Sequence, residues 1–472
     1  MATARFFRHS TQFFQHYIPT EFIILGIFEF AALIAAFYMA VELRFAGGHW
    51  PKDFGPVFPK ALVFALIIQM SLIAMAGYQR HSQDTIEHMA LRVAGSMVLG
   101  MVPLGLVYYL FPQFVLGRGG VAIAVLFGFL LIVITRVFFK RIEDDRDLRV
   151  KVLVLGAGET ADLVQNAHRS GELSGLNIVG YVPMPGDREG KEKDPVLALD
   201  TPLIEFVEKA RIDEIVLAAD DRRKGLPVQD LLDCKMSGVE VLDLLTFFER
   251  EAGKIRLDIM NPSWLYLSDG FRESTFARLG KRSFDLALCL LLLPLALPIM
   301  AVISIVSLVD SSFREPVLYR QTRVSENGKL FTIYKFRSMC SEAEKDGVAR
   351  WAEKNDPRIT RLGAVLRKCR LDELPQLFNV LKGDMSFVGP RPERPEFVEQ
   401  LAASIPYYNE RHRVKPGLTG WAQICYSYGA SEEDGLEKLQ YDLYYVKNYS
   451  IMIDLLILLQ TAEVVLLGKG AH

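Results

Sequence analysis

KRSFDLALCLLLLPLALPIMAVISIVSLVD, residues Lys281–Asp310, decides how the rest of the chain must be folded. No charged residue occurs from Leu286 to Val309, a run long enough to cross a bilayer core. Its flanks argue against a simple crossing. Lys281 and Arg282 precede the run, while Arg314, Arg320 and Arg323 follow it, so both ends read as cytoplasmic. Pro294 and Pro298 sit in mid-run, where each removes a helix hydrogen bond and favours a kink. We therefore expect a re-entrant helix-break-helix at about residues 284–309, with the freed backbone groups satisfied internally. An ordinary fifth crossing would place everything downstream on the opposite side of the membrane.

Upstream, four long apolar runs lie at Phe22–Val41, Ala61–Tyr78, Val93–Phe114 and Val121–Phe139. Each approaches bilayer length. Arg5, Arg8 and His9 precede the first run, and Lys140 and Arg141 follow the last, so both ends are expected in the cytoplasm. Gly47, Gly48, Pro51 and Pro56 mark the first loop. The first run is too long for a cleavable signal and reads as an anchor. Glu29 and Arg136 interrupt the pattern, and the expectation for Glu29 is a pairing inside a small bundle. Residues 1–142 are thus expected to be a four-helix transmembrane bundle.

Charge rises at Glu143–Arg149, a linker. RVKVLVLGAGETADLVQNA follows, giving strand, glycine turn and helix. Gly156, Gly158 and Ala161 fit the G-x-G-x-x-A dinucleotide turn. Strands are expected at Asn177–Val182, Glu214–Ala218 and Val239–Asp243, and a helix at Leu203–Ala210, which makes residues 143–270 a Rossmann-like α/β domain. The acidic residue that should hold a ribose at the end of the second strand is missing, and Asp187 comes only after Pro185 and Gly186. A nucleotide at Gly156 and Gly158 therefore competes with a purely structural turn.

Residues 271–472 carry the chemistry. EPVLYRQTRVSENGKLFTIYKFRSMC reads as a hairpin turning at Glu326–Lys329. Alternation puts Lys335 and Arg337 on one face, suited to a diphosphate. The polar segment beginning at Ser341 reads as surface helix and loop. Then LRKCRLDELPQLFNVLKGDMSFVGPRPER (Leu366–Arg394) sets Asp372 and Glu373 among Arg367, Lys368, Arg370, Lys382, Arg391 and Arg394. Leu374-Pro375 can open a helix that ends near Gly383. Carboxylates inside a cationic ring suit phosphate chemistry, although a solvated helix start has the same local pattern. Gly417 and Gly420 would allow close backbone approach to a ligand, and Trp421 offers a stacking surface. Ile451–Leu467 is expected either to lie in the membrane interface or to pack on the domain core.

Half of the 472 residues are hydrophobic and the net charge is −2, so no basic field points to nucleic acid. Cys234, Cys289, Cys340, Cys369 and Cys425 form no paired spacing, which argues against structural zinc or disulfides. Carboxylates without a His or Cys cluster suit magnesium.

KRSFD (281–285), YKFRSM (334–339), LDELPQLFNVLKGDMSFVGPRP (371–392), KPGLTGWAQ (415–423) and DLYYVKN (442–448) together resemble the bacterial sugar transferase family, the monotopic polyprenyl-phosphate phosphoglycosyl transferases. Four spans and a Rossmann-like domain ahead of these blocks resemble the large form of that family. ADDRRKGLPVQDLLDCK and LTFFERE are similar to members associated with exosortase exopolysaccharide loci. The resemblance implies an α+β catalytic domain on the cytoplasmic face of a bacterial inner membrane. It implies transfer of a sugar 1-phosphate from a UDP-sugar to undecaprenyl phosphate, with UMP released, through a covalent intermediate. Asp372 would be the nucleophile and Glu373 its partner at a Mg2+ site. Lys335, Arg337, Arg367 and Arg391 would face phosphates or nucleotide, and Pro298 the membrane-helix break. The implied partners are UDP-sugar, undecaprenyl phosphate and the lipid bilayer, with a homodimer left open. Leu297, Glu315 and Ser325 depart from the family's usual serine and two glycines.

Two rival classes were weighed. A membrane-anchored nucleotide-sugar dehydratase or epimerase needs Tyr-x-x-x-Lys, and no lysine here has tyrosine four residues before it. A membrane scaffold or nucleotide sensor would leave Asp372, Glu373 and their basic ring without a role.

Overall fold

The computed structural model describes residues 10–13, 16–45, 55–75, 85–143, 149–173, 175–191, 193, 195–221, 223, 225–268, 270–271, 275–311, 315–340, 356–426 and 431–467. Arg5, Arg8, His9, Gly47, Gly48, Pro51, Arg314, most of the 143–149 linker and most of the polar segment after Ser341 lie outside them. The chain divides after Asn261 into two compact units.

The first unit contains four apolar helices: α1 (Thr20–Arg44), α2 (Val57–Ala74), α3 (Ile86–Leu110) and α4 (Arg118–Glu143). All four are long and apolar enough to cross a membrane. They pack on one another around Leu33, Phe37, Phe64, Ile68, Met97 and Ile132. Small residues let the backbones approach, as where Gly128 faces Leu33 and Gly100 faces Ile68. Glu29 and Arg136 meet in this core, with Arg136 Nε 2.6 Å from Glu29 Oε1 and both side chains almost wholly buried. The two charges that spoil the apolar runs therefore satisfy each other, as expected for Glu29.

A four-stranded parallel sheet follows, built from β1 (Val150–Leu155), β2 (Leu176–Val182), β3 (Glu214–Leu217) and β4 (Glu240–Asp243) in the order β2-β1-β3-β4. Helices α5 (Glu159–Ser170), α6 (Leu203–Ala210), α7 (Val228–Met236) and α8 (Leu244–Ala252) complete the alternation. Two apolar clusters cover the sheet. One gathers Val152, Val154, Val216 and Phe247, the other Leu153, Leu155, Ile215 and Val207. Neighbouring strand residues thus bury in different clusters, as a two-faced parallel sheet requires. Gly156 (φ 132°) ends β1 where an added Cβ would collide with the Ala218 backbone.

The second unit is held together by one long helix, α9 (Thr275–Asp310). Helical backbone runs unbroken through Pro294 and Pro298, so the expected helix-break-helix is absent as an interruption. A proline lacking its N–H can bend a helix without ending it, because neighbouring turns keep their bonds. The stripe Asp285, Cys289, Ala296, Met300, Ile303 and Ser307 is buried, while Leu290, Leu291, Leu295 and Leu297 are exposed.

After α9 comes the hairpin β5 (Leu318–Val324) and β6 (Leu330–Phe336), antiparallel and in register from Leu318↔Phe336 to Val324↔Leu330. The turn uses Asn327 and Gly328 at positive φ, where glycine and asparagine are favoured. Helix α10 (Arg361–Lys368) is capped by Thr360. A 3-10 turn (Leu371–Gln376) leads into α11 (Leu377–Lys382), which ends at Gly383 in the left-handed conformation. Two short parallel strands, β7 (Ser386–Val388) and β8 (Gly417–Thr419), carry α12 (Pro395–Ser404) between them. Helices α13 (Glu432–Asn448) and α14 (Ile451–Leu467) close the unit. Ile453, Asp454 and Ile457 of α14 are fully buried, so this helix packs on the domain core.

Candidate active site

Arg370 takes a left-handed conformation, φ 56°, immediately before the carboxylate pair. A non-glycine residue pays strain there, and such strain concentrates at functional turns. The reversal sends the chain into a 3-10 turn rather than the first turn of an α-helix, so the expected helix opening at Leu374-Pro375 is displaced to Leu377. Asp372 and Glu373 are successive residues of that turn, and Lys335 and Arg370 act on both.

Glu373 is neutralised. Lys335 Nζ of β6 donates to its Oε1 at 3.0 Å, and Arg391 lies 3.5 Å from the same oxygen. Although burial works against the charged form, Lys335, Arg391 and Arg370 hold its pKa down to about 2. Asp372 is 7% exposed and makes no hydrogen bond or ion pair among the described residues. Burial and the Glu373 charge push its pKa up, against the pull of Lys335, Arg367 and Arg370. Burial and the neighbouring Arg391 lower the Lys335 pKa, while Glu373 and Asp372 oppose them. Two adjacent carboxylates are thereby driven apart: one a fixed, paired anion, the other an unclaimed one.

Three scaffolds hold this arrangement. Asn379, fully buried, accepts from Tyr334 N (3.2 Å) and donates to Thr332 O (2.7 Å), fastening α11 to β6 beside Lys335. Arg411 donates to the Arg391 carbonyl at 3.0 Å and is itself held by Asp442 at 2.7 Å and Tyr408 Oη at 2.7 Å. Arg282 of α9 donates to the Val380 and Leu381 carbonyls at 2.6 and 2.7 Å, closing the last turn of α11 with a cation. Beside it, Lys281 donates to Asp454 (2.5 Å), Tyr445 Oη (2.9 Å) and Val388 O (2.9 Å). Asp285, 2% exposed, accepts from Ser386 Oγ and Phe387 N. The flanking charges of the apolar run are therefore structural ties as well as flank markers.

The structure brings Asp372, Glu373, Lys335 and Arg391 together, with Arg367 close enough to influence Asp372. Arg337 departs from the group: it pairs with Glu315 at 3.0 Å and donates to Pro316 O at 2.9 Å, just beyond the end of β6. Lys335 and Arg337 thus serve different partners. Gly417 and Gly420 both make room for the Gly389 backbone, which a Cβ on either would strike. Trp421 is buried and stacked on Tyr444 at 5.9 Å, so it offers no free surface. Pro294 and Pro298 lie within α9, and Gly156 and Gly158 belong to the other unit.

Two buried donors beside the pair, Arg367 Nη1 and Gln376 Nε2, lack a hydrogen-bond partner among the described residues. A buried orphan donor is costly unless something accepts from it, and an anion bound at Asp372 would do so. Gln376 and Asn379 read in the sequence as ordinary helix interior. A polar residue at each of two successive inward positions of QLFNVL was the available signal.

The comparisons with known proteins bear on this geometry directly. The profile described as "Bacterial sugar transferase" matches residues 276–468, the span that contains the whole site. A UDP-glucose:undecaprenyl-phosphate glucose-1-phosphate transferase of Escherichia coli K12 is 36% identical over 333 residues, covering 68% of this chain and 69% of its own.

The chain belongs to the bacterial sugar transferase family.

Among its relatives in that family, a UDP-N-acetylgalactosamine-undecaprenyl-phosphate N-acetylgalactosaminephosphotransferase of Aeromonas hydrophila is 38% identical over 263 residues, 56% of this chain. The match spans 61% of that relative's length. A UDP-glucose:undecaprenyl-phosphate glucose-1-phosphate transferase of Xanthomonas campestris pv. campestris is 28% identical over 491 residues, covering 100% of this chain and 99% of its own. That alignment takes in the apolar helices and the α/β domain as well as residues 276–468.

Proposed function

We propose that this chain transfers a sugar 1-phosphate from a UDP-sugar to undecaprenyl phosphate, releasing UMP, in two displacements at Asp372. The observation that carries the reading is the split between neighbouring carboxylates. Lys335 and Arg391 claim Glu373, whereas Asp372 has no hydrogen bond or ion pair among the described residues. In the first displacement an Asp372 carboxylate oxygen attacks the sugar-bearing phosphorus of the donor. The bond from that phosphorus to the bridging oxygen breaks, and UMP departs with its electron pair. In the second, an oxygen of undecaprenyl phosphate attacks the same phosphorus and returns Asp372 as a free carboxylate. A carboxylate can do this only where positive charge offsets the repulsion between anions. Lys335, Arg391 and Arg367 supply that charge, with Arg367 Nη1 and Gln376 Nε2 available to phosphoryl oxygens.

The oxygen-only donor set at this turn fits Mg2+, which binds through one or two carboxylates and completes its shell with phosphate and water oxygens. Among the described residues no cluster of three His, Cys, Asp or Glu exists that would favour a dedicated protein cage. Asp372 and Glu373 would hold the ion, and it would neutralise charge on the diphosphate. Arg337, tied to Glu315, takes no phosphate in this reading.

The same proposal places the site on the cytoplasmic face of a bacterial inner membrane, with α1–α4 as a four-span anchor and α9 entering and leaving by one leaflet. Support for re-entry comes from the tethers of α9. Arg282 and Asp285 bond one end into the second unit. Pro316, six residues past Asp310, is bonded into the same unit by Arg337. A straight helix from Asp285 to Asp310 would be about 38 Å long, and six extended residues return at most ~20 Å. A bilayer core about 30 Å thick between those tethers would pull them apart.

Asp372→Asn tests the reading. UMP release from UDP-sugars should fall to background in membranes or detergent, with the fold intact. Full activity in that variant would sink the nucleophile assignment.

A further inference from the structure

The glycine turn of the α/β domain has the spacing of a phosphate cradle, and its anion-binding groups are already occupied. Asp220, just beyond β3, lays its carboxylate on the first turn of α5. Oδ1 accepts from Thr160 N at 2.7 Å, and Oδ2 accepts from Glu159 N at 3.1 Å and Arg188 N at 2.8 Å. Asp187 does the same two residues before Glu159, at Ala157. Its Oδ2 accepts from Ala157 N (2.7 Å) and Met184 N (2.8 Å), and its Oδ1 from Asp220 N (3.3 Å). The free N–H groups at a helix start are what a pyrophosphate would need. Here Ala157, Glu159 and Thr160 spend them on two side chains of the same chain.

The space is closed as well as the hydrogen bonds. A Cβ on Gly158 would collide with Asp220 Oδ2, and one on Gly190 would press on the Gly158 backbone at 2.8 Å. The segment after β2 therefore lies directly over the turn. It is pinned there by Lys191 N donating to Asp162 (3.0 Å) and by the buried Lys193, whose Nζ donates to Asp162 and to Lys191 O (2.8 Å). Gly158 is thus needed for a carboxylate to approach, which is a different use of the same residue.

We propose that Asp220 and Asp187 are built-in occupants of this anion cradle, so that the domain holds no dinucleotide and its glycine turn is a self-sealed joint between β1, β3 and α5. The inference does not depend on the transferase reading. Hydrogen exchange on the full-length protein in detergent, with NADH and inorganic pyrophosphate as probes, tests it. In the wild type the Glu159 and Thr160 amides should exchange slowly, unaffected by either probe, and NADH fluorescence should show no saturable binding. Asp220→Ala should speed exchange at residues 157–161 by at least tenfold, and pyrophosphate should slow it again by filling the vacated cradle. If Asp220→Ala does not fold, Asp220→Asn keeps the shape but weakens the acceptor and should show the same direction of change. Saturable NADH binding by the wild type with protection at 157–161 would overturn the proposal. So would unchanged exchange in a folded Asp220→Ala or Asp220→Asn protein.

Discussion

At the scale of single residues, the site depends on a difference between neighbours. Glu373, its pKa held down to about 2 against burial by Lys335, Arg391 and Arg370, stays ionised well below the ordinary glutamate range. Its contribution to stability is present above the ordinary glutamate value of about 4.3 and is lost as pH falls toward that depressed value. Asp372 is shifted the other way, so its carboxylate form disappears at a pH above the ordinary aspartate value of about 3.9. The acid limb of kcat/KM should follow Asp372 and not Glu373. Lys335 lowers the pKa of both groups. Lys335→Met should therefore move the acid limb to higher pH as well as reduce kcat/KM, by roughly 10²–10³-fold as for other removed charge stabilisers. A pH–rate profile of UMP release checks both, and an unmoved limb would remove Lys335 from the neighbourhood of the nucleophile. Arg337→Met, by contrast, should cost the reaction little, because that guanidinium serves Glu315 and Pro316.

At the scale of elements, the sequence showed most of what exists and less of how it is joined. The hairpin at Glu326–Lys329, the α6 helix and the strands of the parallel sheet follow directly from alternation and turn chemistry. The 3-10 turn at Leu371–Gln376 does not, because the left-handed Arg370 that creates it has no local signature. Lys335 and Arg337 share a strand parity, but the strand ends between them, and Glu315 across the hairpin decides where Arg337 goes. That Gly417 and Gly420 make room for Gly389 was hidden, because only tertiary pairing brings Gly389 opposite them. Asn379 was hidden for a similar reason: its two bonds run to a strand 45 and 47 residues away. Asn379→Leu should destabilise the second unit by about 2–4 kcal/mol, since it orphans the Tyr334 N–H and Thr332 C=O in a dry setting. Denaturant titration measures this, and a change under ~0.5 kcal/mol would mean those groups find other partners.

At the scale of the whole molecule, family membership and a row of apolar helices were both legible, because long ordered blocks and long uncharged runs survive without coordinates. The Glu29–Arg136 pair was half legible: both charges were visible, their pairing across 107 residues was not. Arg136→Leu should lower the melting temperature of the detergent-solubilised protein, because an unpaired buried carboxylate costs about 3–5 kcal/mol. Adding Glu29→Leu should restore most of that loss, and a double variant as unstable as the single would show that the pair matters through packing alone.

The grip of Arg282 on the end of α11 has a practical consequence. The same six-residue helix has the Asp372–Glu373 turn at one end and the apolar helix α9 at the other. Whatever tugs the apolar helix sideways is transmitted, over less than two helical turns, to Asp372, the proposed nucleophile. Solvent choice during purification then becomes a kinetic variable: a harsh micelle should blunt turnover before it unfolds anything, and return to a lipid nanodisc should bring the rate back.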